Sequence, residues 1–273
     1  MKVACLQITS GPVIAENLEK TGEFIREAAA KGATLIATPE NTCHIRFPAI
    51  QKRETTPTQQ DHPGVAYFAD LAKELSVTLL IGSMAVKADG DKLLNRSFVF
   101  SSDGKLQDTY DKIHLFDVQL PTGEVHAESE VMGAGDCAVV SHVGDGVKLG
   151  LSICYDLRFS YLYRDMAKAG ATILAMPAAF TVPTGQAHWE TLLRARAIET
   201  GSFVIAPAQV GQHEGGRLTY GHSMIINPWG KVLTCLEDGE GVVYADLDLS
   251  EVQKARDAIP ALQHDRLYTV TTS

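Results

Sequence analysis

Twice along this chain an apolar run of strand length gives way to an amphipathic helix and then to a second apolar run. The first pass is "KVACLQI", "AENLEKTGEFIREAAAKGA" and "TLIATPE"; the second is "VKLGLSICYD", "YLYRDMAKAGA" and "TILAMPAAF". In the first helix Leu18, Phe24, Ile25 and Ala28 recur at helical spacing, and Gly32 stops it. Further elements follow the same style. "VAYFADLAKEL" reads as a helix, "VTLLIGSMAV" as a strand, and "NRSFVFSSDGKLQDTYDKIHL" as a hairpin turning at Asp103-Gly104. "AHWETLLRARAIETG" reads as a helix ended by Gly201, with "SFVIAPAQVG", "HSMIINPWGKVLTCL" and "EGVVYADLDLS" as later strands. The pattern predicts an α/β fold of two mixed sheets, each covered by helices on one face. No linker or change of composition interrupts it, so residues 1–273 are expected to form a single domain.

With 45% hydrophobic and 21% charged residues, the chain has ample material for a core. Its net charge is -9 and it carries no block of lysine and arginine, which argues against a nucleic-acid or anionic-membrane surface. "MKVACLQI" is followed at once by "TSGP", without the apolar core or cleavage site of a signal peptide, and no apolar span reaches membrane length. The five cysteines are scattered and form no CxxC or Cys/His cluster. A reduced, cytoplasmic chain with mostly structural thiols is expected, and no metal site.

Three polar residues stand at strand ends or within a hairpin strand: Glu40 after "LIATP", Lys112 within "QDTYDKIHL", and Cys154 after "GLSI". Taken singly, Glu40 fits a helix cap or surface acid, Lys112 a solvated hairpin residue, and Cys154 a core position. Together they make coherent chemistry. A thiol with an ordinary pKa near ~8.5 is a weak nucleophile until a neighbouring base takes its proton. A lysine ammonium and a backbone N–H can then hold the oxyanion formed when sulfur attacks a carbonyl, each donor contributing about 3–4 kcal/mol. Such a set describes acyl transfer through a thioester.

The order Glu, Lys, Cys within "TPEN", "YDKIHLFD" and "ICYDLRF" resembles the nitrilase superfamily of carbon–nitrogen hydrolases. The resemblance extends through "TGQAHWETLLRARAIETGSFVIAPAQVG", "YGHSMIINPWG" and "IPALQHDRLY", and is nearest to the branch of deaminated glutathione amidases and ω-amidases. It implies a four-layer α-β-β-α sandwich, with Glu40 as general base, Lys112 and the Tyr155 N–H at the oxyanion, and Cys154 as nucleophile. It also implies that Glu128 positions the lysine and the substrate nitrogen, with Glu124 and Glu130 as nearby competitors. It further implies a homodimer or higher homo-oligomer paired through the helix after Cys154, with the C-terminal tail reaching towards the neighbour. No cofactor is required. One departure stands out: members often continue as C-x-D-x-R-F-P-E, whereas Ser160-Tyr161 replace Pro-Glu here.

Rival readings use a histidine base (His114, His188 or His222), or keep the fold as a non-catalytic binding protein. Here His188 is expected to begin a helix, the glycines of "GAGD" and "VGDG" to make turns, and Trp189 to lie in the core. The expected substrate is a small amide bearing a carboxylate, such as a deaminated-glutathione-like amide. The alternatives are an ω-amidase acting on dicarboxylate monoamides, or a nitrilase- or carbamoylase-type activity. Arg158, Arg46, Lys52 and Arg53 are the candidate cations for that carboxylate; Arg158 could equally pair with Asp156. Side chains of "NTCHIRFPAIQKRETTPTQQDHPG" and "AFTVPTGQ" are expected at the pocket mouth.

Overall fold

The computed structural model describes residues 1–46, 49–88, 90–120, 123–144 and 146–272. Phe47 and Pro48 of the expected pocket-mouth loop, Pro121 and Thr122 ahead of Glu128, and Asp145 of the "VGDG" turn lie outside them. The first half runs β1 (Lys2–Ile8), α1 (Ile14–Ala30), β2 (Leu35–Ala37), α2 (Lys52–Thr55), α3 (Pro63–Leu75), β3 (Thr78–Lys87), β4 (Leu93–Phe100) and β5 (Leu106–Asp111). Then come β6 (Asp117–Gln119), β7 (Val125–Ala127), β8 (Met132–Gly133), β9 (Val140–His142), β10 (Lys148–Leu151), α4 (Ser160–Lys168), β11 (Ile173–Ala175) and α5 (Val182–Thr200). The chain finishes with β12 (Phe203–Ala206), β13 (Ala208–Gln212), β14 (Leu218–Tyr220), β15 (Ser223–Ile226), β16 (Val232–Leu236), β17 (Gly241–Asp246) and α6 (Ser250–Ala258).

One sheet has the order β14-β13-β1-β2-β3-β4-β5, with β17 also paired to β1 and β8 to β4. The other is β16-β15-β12-β11-β10-β9. Strand alternation sorts β1 cleanly. Ala4, Leu6 and Ile8 pack outward against Leu18 and Ile25 of α1 and Phe68 and Leu71 of α3. Val3 and Cys5 point inward and share a core with Leu149, Leu151, Ile173 and Ile205 of the second sheet. The far side of that sheet is covered by α4 and α5 through Tyr163, Met166, Trp189 and Leu193. Helices therefore flank two face-to-face sheets, in the expected four layers.

Several boundaries differ from the sequence reading. "SFVIAPAQVG" is two strands in two sheets, because Pro207 has no N–H to continue a ladder and the chain crosses over there. The α5 helix starts at Val182, with Pro183 in its first turn, so His188 is mid-helix rather than at its start. The β10 strand stops at Leu151, three residues before Cys154, and β5 stops one residue before Lys112.

Gly82 on β3 is where three segments meet. A Cβ there would lie 2.0 Å from the Thr38 carbonyl oxygen, and 2.5 Å from both the Pro39 oxygen and Pro177 Cβ. The ladder between β3 and β4 shifts register across this point, between Ile81 and Met84. Gly82→Ala is expected to cost about 1–3 kcal/mol in urea denaturation and to lower amide turnover by at least about tenfold through displacement of Glu40. Wild-type stability and turnover would show that the contact relaxes freely.

Candidate active site

Glu40 follows β2 in a turn held from both sides. Gly82 N–H donates to Thr38 Oγ1 (3.0 Å), Thr42 N–H to the Ser83 carbonyl (2.9 Å), and Gln209 Nε2 to the Glu40 carbonyl (3.0 Å). The side chain is 4% exposed. Its Oε1 accepts from Asn95 Nδ2 (2.9 Å) and Lys112 Nζ (3.2 Å), and its Oε2 from the Ala179 N–H (2.9 Å).

Lys112 is placed by alternation across the β4–β5 pair. On one face Arg96 and Asp111 stand opposite each other and form a two-pronged ion pair, with both contacts at 2.7 Å. Their neighbours Asn95 and Lys112 therefore project together from the other face, into the core. Lys112 is 2% exposed and touches Glu128 at 3.0 and 2.8 Å as well as Glu40. Glu128 Oε2 also accepts the Phe116 N–H at 2.7 Å. Of the three acids open in the sequence, Glu128 is the one on the lysine. Glu124 lies beside His126 at 3.4 Å, and the Glu130 carbonyl receives Arg53 and Lys92.

Cys154 begins a short 3₁₀ turn, Cys154–Arg158, with φ of 51°. A left-handed conformation costs a non-glycine residue roughly 1–2 kcal/mol, so the surroundings must impose it. The Cys154 N–H donates to the Pro177 carbonyl at 2.9 Å. Asp156, fully buried, accepts the Ile153 N–H (2.8 Å), the Tyr110 hydroxyl (2.7 Å) and the His114 N–H (3.0 Å), and contacts His114 Nδ1 (2.7 Å). One carboxylate thus ties the cysteine turn to the segment that carries Lys112.

Electrostatics follow from this packing. Burial pushes the Glu40 carboxyl up, but Lys112, the Cys154 thiol, Arg217 and Asn95 outweigh it, and Glu40 titrates below its ordinary value. Burial pulls Lys112 down, yet Glu128 and Glu40 carry it well above the usual lysine range. Burial and the Glu40 carboxylate push the Cys154 thiol up, opposed by Lys112 and the Ala179 N–H. At rest the proton therefore sits on sulfur, hydrogen-bonded to an ionised Glu40. Cys5 and Cys43 are also buried and also raised, but among the described residues no carboxylate contributes to either shift.

These groups line a cavity of about 550 Å³. Its wall also carries Asn41, Arg46, Ile50 and Lys52 from the first expected mouth segment and Ala179, Phe180, Thr181 and Thr184 from the second. Tyr155, Arg158 and Arg217 complete the polar rim, whereas Arg53 is not part of it. Arg158 does not pair with Asp156; it lies 3.3 Å from His188 Nδ1 and over the Tyr155 and Phe180 rings. His114 is committed to Asp156 and Tyr161, and His222 to the Tyr220 carbonyl, so neither is placed as a base for the thiol. Among the described residues no group of three or more His, Cys, Asp or Glu is arranged to hold a metal ion. Nor, among the described residues, is any helix long and apolar enough to cross a membrane.

Sequence reasoning missed Asn95, Arg217, the Ala179 N–H and the tying role of Asp156. Asn95 left a readable trace, a polar residue on the strand face that carries Val99 into the core. Nothing in "HEGGRLT" marked Arg217, and a backbone N–H leaves no mark at all.

Residues 2–257 match the carbon-nitrogen hydrolase family. The chain belongs to that family. A deaminated glutathione amidase of Synechocystis sp. is 38% identical over 264 residues, covering 96% of each chain. One from Mus musculus is 39% identical over 269 residues, covering 97% of this chain and 83% of its own. Among solved structures, Nit3 of Saccharomyces cerevisiae, a member of branch 10 of the nitrilase superfamily, superposes with a TM-score of 0.88. Its identity is 29%, over 98% of this chain and 97% of its own.

For this carbon–nitrogen hydrolase, Asp156→Asn places an amide where several donors converge. A loss of about 2–4 kcal/mol in urea denaturation is expected, with a fall in kcat that exceeds any rise in KM. Unchanged stability and kcat would remove Asp156 from the support of the site.

Proposed function

We propose that this hydrolase cleaves a small amide bearing a carboxylate, through a thioester on Cys154. The observation that carries the reading is the buried Lys112 ammonium, gripped by Glu40 and Glu128 at 2.8–3.2 Å beside the thiol. The thiol, two carboxylates and the ammonium make a net charge of one negative with sulfur protonated. Ionising the sulfur alone would add a second negative charge in a dry site, so the proton leaves only as charge moves elsewhere. Attack on an amide carbonyl provides that destination. Glu40 takes the thiol proton while the new oxyanion forms against Lys112 and the Tyr155 N–H. Glu128 fixes the lysine and faces the substrate nitrogen. Glu40 passes its proton to the departing amine or ammonia, then activates the water that hydrolyses the thioester. Each proton and charge has an assigned group in Glu40, Lys112, Glu128, Cys154 and Tyr155.

The cavity wall supports an anionic substrate. Five cations (Arg46, Lys52, Lys112, Arg158 and Arg217) face three carboxylates (Glu40, Glu128 and Glu130) on a chain of net charge -9. Deaminated glutathione is the favoured substrate, in line with the names of the relatives. An ω-amidase acting on α-ketoglutaramate is the runner-up, and kcat/KM for the two compounds ranks them. We also infer a cytoplasmic homodimer paired through α4, with the exposed Leu267 and Tyr268 of the tail available to a second copy. Sedimentation velocity returning a monomer would remove the dimer.

The thioester is tested by acid-quenched mass spectrometry during turnover, with an acyl adduct expected on Cys154. Cys154→Ala should abolish turnover, and Glu40→Gln and Lys112→Ala should each lower kcat by about 10³ or more. An adduct on another cysteine, or near-normal turnover by Cys154→Ala, would end this mechanism. Cleavage of a nitrile or an N-carbamoyl amino acid in place of either amide would overturn the substrate and leave the chemistry standing.

A further inference from the structure

The cavity holds a second buried lysine that the mechanism does not use. Lys52, at the start of α2, is 6% exposed. Its ammonium has three donors, and one of them reaches Asn41 Oδ1 at 2.8 Å. Lys112, in the same cavity, has carboxylates on two sides. Among the described residues no carboxylate lies within ion-pair distance of Lys52. A buried ammonium with one neutral amide for a partner is costly, and an anion entering the cavity would relieve the cost. Arg46, six residues earlier on the same segment, also lines the cavity, and its Nε is buried without a hydrogen-bond partner among the described residues. The other wall cations are already engaged: Arg158 on His188 and two rings, Arg217 on the Ala179 carbonyl.

We propose that the Lys52 ammonium, with Arg46 beside it, binds the substrate's carboxylate and makes this hydrolase selective for anionic amides. The inference rests on the hydrolytic reading above and adds to it the group that selects the substrate.

Titration supports the geometry. Burial pulls Lys52 down to about 8; Glu40 and Glu128 raise it, while Arg217 and Lys112 lower it further. On its own segment His44 feels both Lys52 and Arg46, and burial holds His44 down at about 4, neutral at physiological pH. Lys52 is therefore charged below about pH 8 and loses its hold on a carboxylate above it. A bound carboxylate favours the charged form, so the bound lysine titrates higher than the free one.

The test uses succinamate and its neutral analogue succinamide. Lys52→Met should lower kcat/KM for succinamate by about tenfold or more, mainly through KM, and leave succinamide within about threefold. Lys52→Arg should restore the preference for the anion and remove the rise in wild-type KM above about pH 8. Equal losses on both amides, or a wild type that prefers succinamide, would overturn the proposal. If Lys52→Met does not fold, competitive inhibition of the wild type by succinate decides. Its Ki should rise above about pH 8, and a constant Ki overturns the proposal. If the wild type cleaves neither these two amides nor deaminated glutathione nor α-ketoglutaramate, the amide reading fails separately. Calorimetric titration of succinate into wild type and Lys52→Arg across the same pH range then tests Lys52 by itself.

Discussion

A buried ammonium needs negative charge around it, and the arrangement of this molecule follows from how Lys112 obtains it. Glu40 comes from the exit of β2 and Glu128 from the segment after β7, and both reach one nitrogen that is almost wholly shut off from water. Breaking a buried pair by removing one partner typically costs about 3–5 kcal/mol, because the remaining charge is stranded. The cluster therefore fixes three distant pieces of chain relative to one another. It also sets the protonation of the sulfur: one ammonium between two carboxylates leaves no spare positive charge for a thiolate.

The fold supplies that precision through close backbone approach. Gly82 lets the Glu40 turn and the Pro177 segment come within contact of β3, and the Pro177 carbonyl then receives the Cys154 N–H. The Arg96–Asp111 pair on the opposite strand face holds the register that projects Asn95 and Lys112 side by side. Asp156 closes the circuit by linking the cysteine turn to Tyr110 and His114, on either side of the lysine. Glu40, Lys112 and Cys154 each lie just beyond a strand end, and these contacts hold the turns that carry them.

Much of this was legible in the sequence, for physical reasons that differ by residue. Buried strands such as "KVACLQI" and "TILAM" announce themselves because both faces are apolar, and α1 does so through its 3.6-residue spacing. The split of "SFVIAPAQVG" was missed because two apolar strands joined by Ala206-Pro207-Ala208 look like one when nothing indicates which sheet each joins. The early start of α5 was hidden by "VPTGQ", whose Pro and Gly read as loop although proline is at home in a first helical turn. Glu40, Lys112 and Cys154 stood out by their placement at strand ends and their joint chemistry, family resemblance gave them roles, and the cavity holds all three. The role of Asp156 depends on four contacts from three residues on two segments, which no linear spacing encodes. The same holds for the contrast between Lys52 and Lys112: both are lysines in polar stretches, and the carboxylates nearby distinguish them.

The central claim is that burial and the Glu40 carboxylate keep Cys154 protonated, against the pull of Lys112, until charge can move to a substrate oxygen. The direct measurement is the ultraviolet absorbance of thiolate across a pH titration, taken as wild type minus Cys154→Ser so that Cys137 and Cys235 cancel. The expected result is no thiolate step at or below neutral pH, with the Cys154 midpoint above the ordinary value of ~8.5. A step with an acidic or neutral midpoint would mean that the thiolate exists before substrate arrives, and would contradict the claim.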